Sequence, residues 1–273
     1  MEEQLLLLLE EFLKEIVVLV EKKRYRRGLT AVLGAVAGRS TEEDVEIKMD
    51  RECEELFKRH LRKFCREQHI AIQAYSEHGT YKIGRGAAVY LCVIEPFDGS
   101  GLFQRGWPAE WFSALSIYTL EGRPIVGGIV DILRKELFLA DVPNKQVVLC
   151  DLERGTRKTV TPSLRIAVDN ETKFAAYLMD PFYLMEWVDR MRPLFASSPK
   201  QAPPSPNLFP RLWKRITRVL GTSSPAHPSL PLLGIRIWPN GGSCIYAWLA
   251  MGRVDAYVMF NEPRSEIDPG LAF

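Results

Sequence analysis

The sequence predicts an α/β (α+β) fold, and three observations carry the prediction. An amphipathic helix opens the chain. An unbroken run of eight apolar residues, Ala87 to Ile94, stops at Glu95-Pro96 and suits a strand buried on both faces. From Leu164 onward, strand-like and helix-like segments alternate. The 273 residues are 47% hydrophobic, which excludes disorder and collagen and provides a sizeable core without disulfide staples. Against a prior of about 100 to 200 residues per domain, the length means one large or two intimate domains.

In the first helix Leu5, Leu9, Phe12, Leu13, Ile16 and Val20 share one face. Glu10, Glu11, Lys14 and Glu15 interrupt it, so it cannot cross a bilayer, which needs about 20 apolar residues. It also lacks the basic opening and small-residue cleavage site of a signal peptide. A second helix spans about Asp50 to Glu67, where Cys53, Leu56, Phe57, Leu61, Phe64 and Cys65 recur at helical spacing. After the buried strand come strands at Ala114 to Leu120 and Pro124 to Ile132, then a hairpin of Glu136 to Ala140 and Gln146 to Cys150 turning near Pro143-Asn144. Together these predict one mixed sheet with helices.

The later half predicts a strand at Leu164 to Val168, a helix from about Thr172, and a second helical segment opened by Asp180-Pro181. A strand at Leu232 to Ile237, a helix from Gly241 through Met251 and a strand at Asp255 to Phe260 follow. The expected domains are 1–160, α+β, and 161–273, α/β, with a Pro-rich excursion at 193–231 surrounding a helical island, Leu208 to Leu220. No fixed-period repeat is present.

The 36 Lys and Arg against 34 Asp and Glu leave a net +2, so no global field points to nucleic acid. Five cysteines, Cys53, Cys65, Cys92, Cys150 and Cys244, stand apart with no CxxC pair. They read as reduced, buried thiols in a cytoplasmic protein.

Chemistry concentrates in Glu95-Pro96-Phe97-Asp98-Gly99-Ser100. Two carboxylates three apart at the end of a buried strand offer hard oxygen ligands to magnesium, and the amides of Gly99 and Ser100 can hold a phosphate. On local chemistry alone, a plain turn capping a helix explains the stretch as well.

This turn resembles the Asp-Pro-Ile/Leu-Asp-Gly-Thr/Ser signature of the magnesium-dependent, lithium-sensitive phosphatases, which include inositol monophosphatase and fructose-1,6-bisphosphatase. Glu77 in Ser76-Glu77-His78 occupies the place of the family's Gly-Glu-Glu element, and Asp50 to Glu54 that of its Thr-x-x-Asp-x-x-x-Glu element. Gly242-Ser243-Cys244, Val254-Asp255-Ala256-Tyr257 and Ile267-Asp268-Pro269-Gly270 follow in the family's order.

The resemblance implies a layered αβαβα sandwich of the sugar-phosphatase type, with the metal site at the junction of the domains. It also implies two or three Mg2+ ions, with Mn2+ as a substitute, held by Glu77, Glu95, the Phe97 carbonyl, Asp98 and Asp268. Ser100 with Glu77 would prepare a metal-activated water, and Asp50 would be a third-metal ligand or, equally, a helix cap. Gly99 and Ser100 would bind the phosphate, and Gly242, Ser243 and Glu262 the rest of the substrate.

The sequence departs from the family at Glu95, where the family has Asp, at His78 for the second Glu, and at Ile267 for Trp. The family's substrate-contacting Glu falls near Met259, with Glu262 the nearest replacement. The chain also ends soon after Asp268, where the family continues, which reads as a shortened C-terminal domain.

The implied function is magnesium-dependent hydrolysis of a small sugar, inositol or nucleotide phosphate by a homodimer with no membrane or nucleic-acid partner. The alternative is a catalytically weakened binding or regulatory subunit. Among weaker signals, Lys82-Ile83-Gly84-Arg85-Gly86 faintly resembles a phosphate loop but lacks its spacing, and reads as a turn. Cys65 with His69, and His60, read as ordinary helix residues, and the basic face of Arg211 to Arg218 as a solvated helix.

Overall fold

Two long helices lie over one large sheet because each presents a single apolar stripe. A computed structural model of the chain describes residues 1–26, 28–35, 45–161, 172–176, 185, 187–191, 236–238 and 243–258. The first helix, α1 (Glu2–Lys23), fully buries Leu5, Leu9, Phe12, Leu13, Ile16 and Val20, the face expected from the spacing. Because the chain itself covers that face, a homodimer would need another surface. The second, α2 (Lys48–Gln68), meets α1 with the rings of Phe12 and Phe57 edge to face, 5.5 Å apart. It ends at His69, which takes a left-handed φ of 55° as the C-cap.

A ribbon of β1 (Val32–Ala35) and β2 (Val45–Ile47) precedes α2. The main sheet then contains β3 (Ala71–Ser76), β4 (Gly79–Ile83), β5 (Ala88–Asp98), β6 (Phe112–Tyr118), β7 (Pro124–Asp131), β8 (Glu136–Asp141), β9 (Gln146–Asp151) and β10 (Thr156–Thr159). Their spatial order is β10-β9-β8-β7-β6-β5-β3-β4. Every pair is antiparallel except β3 with β5. A short helix, α3 (Ser100–Gln104), follows β5 directly.

The two strands after it and the hairpin appear with nearly the expected bounds, but β5 departs from the expectation of a strand buried on both faces and ending at Ile94: it runs on to Asp98, and over 88–94 it buries one face, with Cys92 and Ile94 fully buried and Val89 exposed. Leu115 and Ile117 of β6 join the core under α1 and α2, while Ala114 and Ser116, pointing the other way, are buried on the opposite face. The one charge inside the α1 face, Glu10, is buried and ion-paired with Lys14 at 2.5 Å and with Arg157 of β10, which ties the exposed edge strand to the helix.

The described residues fall into two compact units. The first contains everything up to 161 together with 243–254, including α4 (Cys244–Ala250), which packs against β7. The second has a parallel sheet in the order β12-β11-β13, formed by β11 (Lys173–Ala176), β12 (Arg236–Trp238) and β13 (Ala256–Val258). Trp187 and Met191 of a helical stretch at 187–191 pack on Phe174 and Ala176.

Here one expectation is corrected: the segment from Thr172 forms a strand, not a helix. Phe174, Ala175 and Ala176 are buried in the central strand of the parallel sheet, and packing on both sides outweighs the helix propensity of two alanines. The expected strand at 164–168, the segment opening at Asp180-Pro181 and the Pro-rich excursion with its helical island lie outside the described residues.

Candidate active site

Strand register brings the acidic residues to one end of the sheet. In the parallel pair β3–β5, Ser76 faces Ile94, so the turn carrying Glu77 leaves β3 at the same end of the sheet as Glu95. Glu77 and His78 form the two-residue turn between β3 and β4. On the other side of β5, Glu95 pairs with Ala114 but Asp98 pairs with Phe112, so β5 carries one extra residue across Pro96-Phe97. Such a bulge bends a strand and re-aims its side chains. Proline suits it because Pro96 has no N–H to give to the ladder. The Glu95 carbonyl is held by the Ser113 hydroxyl at 3.2 Å.

The turn into α3 depends on Gly99. Its φ is +99°, and a Cβ there would lie 2.4 Å from the Glu110 carbonyl oxygen, so only glycine lets the backbone pass. Its carbonyl starts α3 by accepting from the amides of Leu102 and Phe103. Ser100, now placed, donates its hydroxyl to Asp50 Oδ1 at 2.5 Å and also lies 3.1 Å from the Phe97 carbonyl oxygen.

Asp50 comes from the first turn of α2, where its Oδ2 accepts the Ile47 amide at 2.6 Å. It therefore caps its helix and meets Ser100 at once. Burial, the largest effect, pushes its carboxyl up to about 7, and the Glu77 charge adds to this while the bonds from Ser100 and Ile47 oppose it.

Asp98 Oδ2 accepts the amide of Ser243 at 2.7 Å. Ser243, expected as a substrate contact, thus meets the acidic turn through its backbone. Burial, with the charges of Asp98, Glu110 and Asp131, pushes the neighbouring Cys244 thiol up, which makes it a poor nucleophile. Glu77 Oε1 lies 3.2 Å from His78 Nε2, and Glu46 is 4.0 Å from His78 Nδ1. Burial would lower His78, but Glu77, Glu54 and Glu46 together raise it above the ordinary imidazole value.

Glu54 has a role that the motif did not reveal. Fully buried on α2, it accepts hydrogen bonds from Ser76 at 2.7 Å and Tyr81 at 2.8 Å and pairs with Lys58 at 3.3 Å. It anchors β3 and β4 immediately beside Glu77. A carboxylate four residues after Asp50, on the apolar face of α2, was the signal for it.

The structure thus joins Asp50, Phe97 and Ser100 directly, and Glu77 lies near enough for its charge to act on Asp50. Gly242, Glu262 and Asp268 lie outside the described residues. The donors are carboxylates and a carbonyl, the oxygen set that a hard divalent cation takes, and the like charges of Asp50 and Glu77 are of the kind a cation relieves. Among the described residues no three His, Cys, Asp or Glu side chains converge closely enough to hold a metal, so Asp268 would have to contribute to a complete ligand shell.

No protein-family model matches the sequence, and no curated protein does. Solved structures do share its fold. One is the extragenic suppressor protein SuhB from Bartonella henselae, at 14% identity, covering 97% of this chain and 81% of that one with a TM-score of 0.61. Another is an IMPase from Thermotoga maritima, at 18% identity, covering 96% and 78% with a TM-score of 0.60. A third, inositol monophosphatase-II from Staphylococcus aureus, has 13% identity and covers 97% and 76% with a TM-score of 0.52. The α+β fold implied by the sequence motif is therefore the observed one, carried by a divergent sequence.

Proposed function

We propose that the protein is a magnesium-dependent phosphomonoesterase acting on a small sugar, inositol or nucleotide phosphate. The observation that carries this reading is the Ser100 hydroxyl, held by Asp50 Oδ1 at the end of a bulged strand flanked by Glu77, Glu95 and Asp98. A hydroxyl that donates to a carboxylate keeps lone pairs with which to accept a proton. A water donating to Ser100 Oγ passes its proton there as Oγ passes its own to Asp50 Oδ1. The water oxygen bonds to phosphorus, the ester P–O bond breaks, and the leaving alkoxide takes up a proton. The proton taken up by Asp50 balances the one that the leaving alkoxide requires.

The Gly99 and Ser100 amides at the start of α3 bind the phosphate oxygens, and Gly242, Ser243 and Glu262 contact the remainder of the substrate. Magnesium or manganese, held by Glu77, Glu95, the Phe97 carbonyl, Asp98 and Asp268, would supply positive charge to the attacking and leaving oxygens. The five cysteines are buried and form no disulfide, which supports a reducing, cytoplasmic setting. No helix among the described residues is long and apolar enough to cross a membrane.

The test is phosphate release from a panel of inositol, sugar and nucleotide monophosphates, with and without magnesium. We expect magnesium-dependent turnover in the parent and a loss of at least a hundredfold in Asp98→Asn with the fold retained. Equal rates in the two proteins would sink the assignment.

A second reading, a catalytically weakened binding or regulatory subunit, is favoured by one observation: Glu77 already has His78 as its ionic partner. Glu95→Asp separates the two readings. An inactive parent that stays inactive after this change supports the regulatory role, whereas activity kept or raised supports the esterase.

A further inference from the structure

The net charge of +2 is unevenly spread along the chain. From Lys22 to Thr41 the sequence has six cations, Lys22, Lys23, Arg24, Arg26, Arg27 and Arg39, and no acid. Within it, Gly28 to Gly38 is eleven residues long and, Thr30 apart, consists only of Gly, Ala, Val and Leu. A basic cluster therefore runs directly into an uncharged, apolar stretch.

The structure puts this stretch at the surface where α1 ends. Among the described residues from Arg24 to Leu33 only Leu29 is buried, and it plugs the segment into the core. The amides of Lys48 and Met49, at the start of α2, donate to the carbonyls of Ala31 and Leu29 at 3.0 and 3.1 Å. The segment is thus fixed at its base and open to solvent around it.

The acids nearest in sequence are already engaged: Glu21 pairs with Lys135 at 2.9 Å and Glu52 with Lys23 at 2.5 Å. Lys22, Arg24, Arg26 and Lys48 are exposed, and no described carboxylate pairs with them. Apolar side chains stand among these cations and face water. Tyr25 is 83% exposed, Val32 48% and Leu33 42%. The Arg24 guanidinium lies 4.7 Å from the centre of the Tyr25 ring, so cation and aromatic present themselves together. Val32 and Leu33 are successive residues of β1 and point to opposite faces, so neither face of the strand is covered there.

We infer that this segment docks the protein on an anionic membrane surface, with Lys22, Arg24, Arg26 and Lys48 against the lipid headgroups and Tyr25, Val32 and Leu33 entering the layer beneath them. Clusters of four or more Lys and Arg are drawn to the negative potential of such a surface, and tyrosine settles at headgroup level with its ring on the apolar side. Peripheral binding strengthens with buried apolar area and with attraction to anionic lipid, and the segment offers both. A nucleic acid would use the cations and stack on Tyr25, but it gives the aliphatic Val32 and Leu33 nowhere to go. The inference stands independently of the catalytic reading.

The test is co-sedimentation of the full chain with vesicles of phosphatidylcholine alone and of equal parts phosphatidylcholine and phosphatidylserine. The parent should partition at least tenfold more strongly onto the anionic vesicles. Raising salt from about 0.1 to 1 M, which shortens the screening length from about 10 to 3 Å, should release it. Arg24→Gln, Arg26→Gln should weaken partition onto the anionic vesicles at least tenfold, Tyr25→Ser, Leu33→Ser severalfold at unchanged charge, and Asp98→Asn not at all. Circular dichroism checks the fold of each variant. Equal partition onto the two kinds of vesicle, or unchanged partition in either surface variant, would overturn the inference. So would binding of single-stranded polyuridylate by protein that leaves the anionic vesicles unbound, which would assign the patch to nucleic acid.

Discussion

Asp50 uses each of its two oxygens for a different partner, one to cap α2 and one to hold Ser100. Its burial has a measurable consequence. The folded carboxyl titrates near 7 against an ordinary value of 3.8, so between those pH values the native state holds a proton that the unfolded chain releases. The stability that this proton contributes is fully present below the unfolded value and is lost as pH rises through the folded one. In metal-free protein, the melting temperature of the parent should therefore fall over that interval more steeply than that of Asp50→Asn, and parallel curves would contradict the assignment. The capping half of this behaviour was legible in the sequence, because it spans three residues. The contact with Ser100 joins positions 50 residues apart and was not legible, since spacing carries no information across such a distance and the motif resemblance paired Ser100 with Glu77 instead. Glu54 shows the converse: its position on an apolar helix face was visible, but its partners on β3 and β4 were not.

At the scale of elements, α1 shows how far a periodic pattern can be trusted. Its apolar face lies over β6, β7 and β8, and Gly128 of β7 leaves room for it, because a Cβ there would come within 2.6 Å of Leu13. Leu9 is fully buried in that contact layer, so Leu9→Ala should cost about 3 kcal/mol of unfolding free energy, read from denaturant midpoints. A cost near zero would mean that α1 is not docked. The long, strongly patterned elements, α1, α2 and β5 to β9, were readable because many residues repeat the same signal. Those that escaped lack it. Glu77-His78 makes a hairpin turn without the Asn-Gly or Asp-Gly pair that announces one. β10 is four exposed polar residues on an edge, and β11 is too short for its alanines to reveal a strand.

For the whole molecule, metal binding should appear as stability even where turnover is absent. A cation bound only by the native state contributes about 2.7 kcal/mol when its free concentration is a hundredfold above its dissociation constant. Millimolar magnesium or manganese should raise the melting temperature of the parent clearly more than that of an Asp98→Asn, Asp268→Asn double variant. Equal shifts would mean that these carboxylates do not share an ion. One contact already described also bears on the order in which the molecule is made. Asp98 is held by an amide 145 residues further along the chain, and α4, which follows that amide, returns to the first unit after most of the second has been passed. A nascent chain emerging from the ribosome can assemble the sheet early, yet the acidic turn receives this restraint only once residue 243 has emerged. Chains terminated before that residue would carry the sheet with an unfinished centre.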